Sequence, residues 1–202
     1  MTPKAEAPEE TMPNTARLRD FIVALTRMAG EGASESRWLS EGRDRLADLV
    51  RQDDWLPEAC AEPGPTYRQY LLHCDPLERF SVVSFVWGPG QRTPIHNHTV
   101  WGLVGMLRGE EVSTEMLPGV PMRAGRVDRL RPGEVVAVSP NLSDIHQVEN
   151  ALADGPSISI HVYGANIGAV ARSVFDPETG AERRFVSGYT NAAVPNVWDR
   201  SA

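Results

Sequence analysis

Apolar residues recur at helical spacing in the first third of the chain and at strand spacing in most of the rest. Leu18, Phe21, Ile22, Leu25 and Met28 fall three or four apart and stop at Gly30 and Gly32, which predicts an amphipathic helix with one buried stripe. A second helix is predicted over residues 35–50, with Trp38, Leu46, Leu49 and Val50 on its apolar side and Asp53, Asp54 and Pro57 following it. After Pro63, Gly64 and Pro65 the period changes. Runs at 67–74 and 80–87, the segment around residues 94–98, and runs at 100–107, 111–117, 127–130, 135–138, 145–148, 157–163 and 170–175 read as roughly ten short strands. Turns rich in Gly, Pro, Asn or Asp separate them. This pattern predicts a mainly β fold, a sandwich or barrel with the two helices packed outside.

A chain of 202 residues with 16 prolines and 17 glycines is long enough for one well-filled core and suits strands and turns better than a helical bundle. The expected organisation is a tail over residues 1–14, rich in Pro, Glu and Thr, followed by a single domain over 15–202. Within that domain a helical part spans 15–62, a barrel 65–187 and a C-terminal tail 188–202. Tyr189, Val194, Val197 and Trp198 make that last tail too apolar to be wholly free, so it is expected to cover an edge of the barrel. The formal charge of −7 offers no basic footprint for nucleic acid or an anionic membrane. No run approaches the roughly 18 apolar residues of a membrane span, and the first residues lack the apolar core of a signal peptide. A cytoplasmic location is therefore expected, and with it free thiols at Cys60 and Cys74. Small-molecule partners remain open, and oligomeric state is not legible.

Three of the five histidines form the candidate chemistry. His96 and His98 are two apart, so on a strand they leave the same face, and His146 from a neighbouring strand would complete one face of a metal shell. Imidazole nitrogen suits Fe(II), Ni(II), Cu(II) or Zn(II), and three neutral ligands leave the ion its full charge, which attracts an anionic substrate to the open positions. On the run 157–163, alternation places Ile158, Ile160 and Val162 on one face and Ser159, His161 and Tyr163 on the other. Three polar groups on an inward face are costly unless they bond to one another or to a bound group, and a relay from Ser159 through His161 to Tyr163 would satisfy them. The alternatives are a solvated face, or His161 as a fourth ligand.

These residues together resemble the cupins, and within them the thiol dioxygenases. Gly90, His96-Asn97-His98 and Gly109 match the first cupin motif, except that its glutamate ligand is missing and Gly102 stands near its place. His146 and Asn150 match the second motif, whose Pro-x-Gly survives only as Pro140-Asn141-Leu142. The resemblance covers about residues 65–175 and implies a cupin double-stranded β-helix, a jelly-roll barrel, with Fe(II) on His96, His98 and His146. Ser159, His161 and Tyr163 are similar to the outer relay of that branch. Tyr67-Arg68-Gln69-Tyr70 looks like the bacterial 3-mercaptopropionate dioxygenases, which implies Gln69 at the recognition position and Arg172 on the substrate carboxylate. No cysteine follows His98 in Thr99-Val100-Trp101-Gly102-Leu103, so Tyr163 is expected without the thioether crosslink of the animal cysteine dioxygenases.

The implied reaction adds both atoms of O2 to the sulfur of a small thiol carboxylate, 3-mercaptopropionate, with L-cysteine as the alternative. Strand alternation allows only one of Arg68 and Gln69 to face inward, and an inward Arg68 would favour cysteine. Another metal-dependent cupin enzyme and a non-catalytic ligand-binding cupin also stay open.

Overall fold

The computed structural model describes residues 14–199. Helix α1 (Thr15–Gly30) buries the predicted stripe of Leu18, Phe21, Ile22, Leu25 and Met28. The second expected helix is present with an interruption: α2 (Glu35–Arg37) runs into a π turn at Trp38–Gly42 and then α3 (Arg43–Val50). The wider turn brings both Trp38 and Gly42 to the sheet, where Trp38 stacks on Trp101 with ring centroids 4.7 Å apart. A Cβ at position 42 would sit 3.3 Å from Leu103, so the smallest residue stands where helix and sheet come closest.

Eleven strands follow: β1 (Arg68–Cys74), β2 (Ser81–Trp87), β3 (Ile95–His96), β4 (Gly102–Arg108), β5 (Glu111–Leu117), β6 (Arg123–Leu130), β7 (Val135–Val138), β8 (His146–Asn150), β9 (Ser157–Tyr163), β10 (Arg172–Phe175) and β11 (Glu182–Phe185). They form a five-stranded sheet in the order β1-β2-β9-β4-β7 and a six-stranded sheet in the order β11-β10-β3-β8-β5-β6. Neighbours throughout are antiparallel. This is a jelly-roll-like pair of sheets, and among the described residues no strand pairing joins the two into a closed barrel, which corrects the expectation of closure. Both edges of the six-stranded sheet, β6 and β11, are exposed and carry several arginines, a common device against edge-to-edge pairing. That composition also hid β11 and the first half of β6 from a search for apolar alternation.

The main core lies between the helices and the outer face of the five-stranded sheet, where Ile158, Ile160 and Val162 pack with Leu18, Leu25, Leu46 and Trp55. That places Ser159, His161 and Tyr163 on the inner face, between the sheets, as the alternation predicts. The C-terminal segment runs along the outer edge of β1: Thr190 N–H donates to Gln69 O at 2.8 Å, and the Asn191 side chain exchanges two bonds with the Leu71 backbone. Gly188, Thr190 and Asn191 of the segment expected to cover an edge thus bond to β1. Cys60 and Cys74 are free thiols. No helix among the described residues is long and apolar enough to cross a membrane. Most of the N-terminal tail expected over 1–14 lies outside the described residues.

Candidate metal centre and its pocket

The cross-strand register builds the histidine cluster. β3 and β8 pair with His96 directly opposite His146. His98 lies just beyond the end of β3 and not on a regular strand, held by Asn97, whose backbone N–H and side-chain oxygen both bond to Ser173. The three ring centroids are 4.8, 4.9 and 4.9 Å apart, close to an equilateral triangle. One ligating atom from each lies within 4.8 Å of the others, and all three residues are buried.

Each imidazole is fixed from behind at Nδ1. His96 Nδ1 lies 3.0 Å from Pro94 O, His98 Nδ1 2.9 Å from Asp144 Oδ1, and His146 Nδ1 2.9 Å from Ser113 Oγ. A carbonyl and a carboxylate can only accept, so Nδ1 carries the proton in the first two, and Nε2 is left with its lone pair toward the interior. Burial holds all three imidazoles below their ordinary pKa, so the rings are neutral and ready to ligate. Asp144 does more than orient one ring. It also accepts the backbone N–H groups of His98 and Thr99, at 3.0 and 2.9 Å, and Thr99 holds a φ of +61°, costly for a β-branched residue. This set of three neutral imidazoles with outward-braced Nδ1 atoms is a metal-binding cluster, and its donors fit a divalent ion of the iron-to-zinc series.

Among the described residues no fourth protein ligand joins it. A Cβ on Gly102 would lie 2.8 Å from the Tyr163 ring and 2.9 Å from Val138, so the place where the cupin resemblance puts a glutamate is filled by the tyrosine. His161 is not a ligand either, because both of its nitrogens are engaged. Nε2 lies 2.8 Å from Ser159 Oγ and Nδ1 lies 2.8 Å from the Tyr163 hydroxyl. The ring also stacks on Phe85 at 4.2 Å between centroids. Ser159, His161 and Tyr163 thus form the hydrogen-bonded chain that alternation suggests, buried throughout.

The cluster and the chain open into one pocket of about 440 Å³ including its mouth. Tyr67, Phe85, Trp87 and Phe185 supply its aromatic wall, and Gln69 and Arg172 line it as well. Gln69 is therefore the inward residue of its pair, while Arg68 packs against Gly64 on the other side. The Gln69 amide donates to Gly188 O at 2.6 Å, so it also ties down the C-terminal segment. Arg172 is 4% exposed, its Nη2 donates to Ser187 Oγ at 2.7 Å, and its guanidinium lies 4.8 Å above the Phe185 ring. Its buried Nε has no partner, and among the described residues no carboxylate pairs with it. Among the described residues the pocket lining contains no Asp or Glu. A buried cation without a counter-ion, beside a cluster that would add positive charge, makes a site for an anion.

Asp144, Ser113 and Ser187 were not identified as functional from sequence. Asp144 stands two residues before His146, a spacing that could have drawn attention to it. Ser113 reaches His146 only through the β5–β8 register, in which Ser113 pairs with Val148 and Glu115 with His146. Asn150, matched to the second cupin motif, is structural: its amide donates to Trp87 O, Gly88 O and Gly155 O and pins the end of β8.

A scan against protein-family models finds none that matches the chain. Among solved structures, an uncharacterised protein with a double-stranded β-helix domain from Klebsiella pneumoniae is 16% identical over 66% of this chain and 96% of its own, with a TM-score of 0.45. A cupin superfamily protein from Desulfitobacterium hafniense is 18% identical over 57% of this chain and 94% of its own, with a TM-score of 0.42. An RmlC-like cupin from Desulfovibrio desulfuricans is 21% identical over 49% of this chain and 82% of its own, with a TM-score of 0.38. These likenesses are low, and the arrangement described above stands on strand order, register and site geometry.

Proposed function

We propose that this chain is a non-haem Fe(II) thiol dioxygenase that converts 3-mercaptopropionate to 3-sulfinopropionate, with His96, His98 and His146 as the iron ligands. The observation that carries the proposal is the unpaired, buried guanidinium of Arg172 opening into the same pocket as three neutral imidazoles and the Tyr163 phenol. A substrate with a carboxylate at one end and a thiol at the other satisfies both halves of that pocket. When bound, Fe(II) supplies a site for the thiolate and the one-electron chemistry that lets O2 react with it. The overall change is balanced without another reductant: the thiolate and one O2 give one sulfinate.

The chain's own residues set the geometry. Arg172 binds the carboxylate through the planar fork of its guanidinium, with Ser187 keeping that fork in place. Phe85 and Trp87 exclude water from the alkyl chain and the sulfur. Tyr163, held by His161, positions a hydroxyl toward the reacting groups. Burial raises the phenol pKa well above its ordinary value, so Tyr163 acts as a neutral hydrogen-bonding group. Gln69 brings an amide and no charge. L-cysteine would carry an ammonium into a lining without a carboxylate, and this favours 3-mercaptopropionate over it.

Replacing Arg172 tests the proposal. Breaking a charged pair with a buried partner costs about 3–5 kcal/mol, so Arg172→Gln should lower kcat/KM for 3-mercaptopropionate by roughly two to four orders of magnitude. The loss should be much smaller for a neutral thiol of similar length. Equal losses for the two thiols would remove Arg172 from substrate recognition.

A further inference from the structure

The chain of Ser159, His161 and Tyr163 does not end at Ser159. Glu111, the first residue of β5, is 1% exposed, and its Oε1 accepts a hydrogen bond from Ser157 Oγ at 3.2 Å. The Ser159 hydroxyl is the second polar group against the same carboxyl. Oε2 is buried and has no hydrogen-bond partner. In register with Glu111 stand Leu130 on β6 and Asn150 on β8, and the Asn150 amide donates to backbone carbonyls. From β2 the Trp87 indole reaches Ser159 at 3.4 Å. Among the described residues no charged group contributes to the carboxyl's environment, and the titratable group next along the chain is His161, through Ser159. A buried carboxyl with an orphaned oxygen at the end of a hydrogen-bonded line is a proton-holding terminus without a structural partner to explain it.

We propose that Glu111 is a positioning residue that terminates a four-member proton relay, Glu111–Ser159–His161–Tyr163, and that its protonation sets which way Tyr163 donates. With Glu111 protonated, its O–H satisfies Oε2 by donating to Ser159. Ser159 then donates to His161 Nε2, His161 Nδ1–H donates to the Tyr163 oxygen, and the phenol O–H points into the pocket. Shifting each proton one place along the line leaves Glu111 ionised, Ser159 donating to it, His161 protonated at Nε2, and Tyr163 donating inward to Nδ1. The net change is the loss of one proton from Glu111, balanced by release of the former pocket-side phenol proton to solvent water in the pocket. In both arrangements Ser159 accepts two bonds and donates one, counting the bond from Trp87, so neither leaves it unsatisfied. Burial pushes the Glu111 carboxyl up to about 8, opposed only by the two serine hydroxyls, so the outward arrangement is the one present at neutral pH. The consequence for catalysis rests on the dioxygenase proposal; the polarity of the relay does not.

The test uses the full chain loaded with Zn(II), which is diamagnetic, and labelled with 15N at histidine and 13C at glutamate. Long-range 1H–15N spectra report which His161 nitrogen is protonated, with the signal assigned by its disappearance in His161→Gln. Expected on raising the pH is a move of the unprotonated-nitrogen 15N shift from Nε2 to Nδ1 of His161, with the same midpoint as the Glu111 13Cδ titration. In Glu111→Gln the tautomer should become independent of pH. A single His161 tautomer across the titration, different midpoints for the two nuclei, or a pH-dependent switch that survives in Glu111→Gln would overturn the proposal. The first two outcomes need no change at Glu111, so a poorly folding Glu111→Gln leaves the test intact. Neither thiol nor O2 enters the measurement, and failure of the dioxygenase proposal would not alter it.

Discussion

Asp144 is the side chain on which the metal cluster should depend most strongly without touching the metal. It accepts three N–H groups: His98 N and Nδ1 at Oδ1, and Thr99 N at Oδ2. Asp144→Asn preserves shape, but the amide can keep its oxygen on His98 only by pointing its NH2 at the Thr99 N–H. An orphaned donor in that position costs about 1–3 kcal/mol, and the bond to His98 loses the strength that a charged acceptor gives it. Part of this cost falls equally on the metal-free protein. The part expressed on binding is the looser His98 ring, which should weaken metal affinity by about 10- to 100-fold, or about 1.4–2.7 kcal/mol. Ser113→Ala removes one neutral bond to His146, about 0.5–1.5 kcal/mol, and should weaken affinity only several-fold. Anaerobic competition with a chromophoric chelator, for Fe(II) and for Zn(II), gives both values, and circular dichroism shows whether the fold is kept. An Asp144→Asn affinity within threefold of the parent, or a larger loss in Ser113→Ala, would refute the assignment of Asp144 as the main brace.

Two further outcomes follow from close packing and burial. Gly102→Ala places a methyl group 2.8 Å from the Tyr163 ring, which must shift; kcat should fall at least tenfold while metal affinity changes little, and an unchanged kcat would show that the ring's position does not matter. Glu111 carries a pKa near 8 in the folded chain against an ordinary 4.5, so the folded state holds a proton that the unfolded state releases. Its contribution to stability is therefore intact below pH 4.5 and is lost as the pH rises through 8, and Glu111→Gln should gain about 3–4 kcal/mol over the parent between pH 5 and pH 8. Denaturant unfolding at the two pH values checks this, and a pH-independent difference would contradict it.

The parts of this protein visible in its sequence are those written in local periodicity. The α1 stripe and the alternation on β9 each lie within one element and appear where the pattern places them, whereas of the His96/His98 pair only His96 stands on the strand that the spacing assumed. The pairing of His96 with His146 and the chain from Ser159 to Tyr163 follow once the sheets exist. What was hidden is set by register between distant strands. Nothing near Ser113 indicates that β5 will lie beside β8, and nothing near Glu111 indicates that its carboxyl will meet the hydroxyls of β9. Gly102 was legible as a missing ligand but not as room for an aromatic ring, because that role belongs to Tyr163 across the β4–β9 pairing. The break in the second helix escaped for a similar reason, since the π turn serves the contact between Trp38 and Trp101 and has no counterpart in the local pattern.

The most direct test of the central claim is oxygen consumption by the Fe(II)-loaded chain with 3-mercaptopropionate and with L-cysteine, read against sulfinate formed. The account predicts one sulfinate per O2 with 3-mercaptopropionate, a higher kcat/KM than for L-cysteine, and loss of both oxygen uptake and iron binding in His146→Ala. Iron bound through the three histidines without thiol-dependent oxygen uptake, or uptake that yields disulfide and peroxide instead of sulfinate, would contradict it.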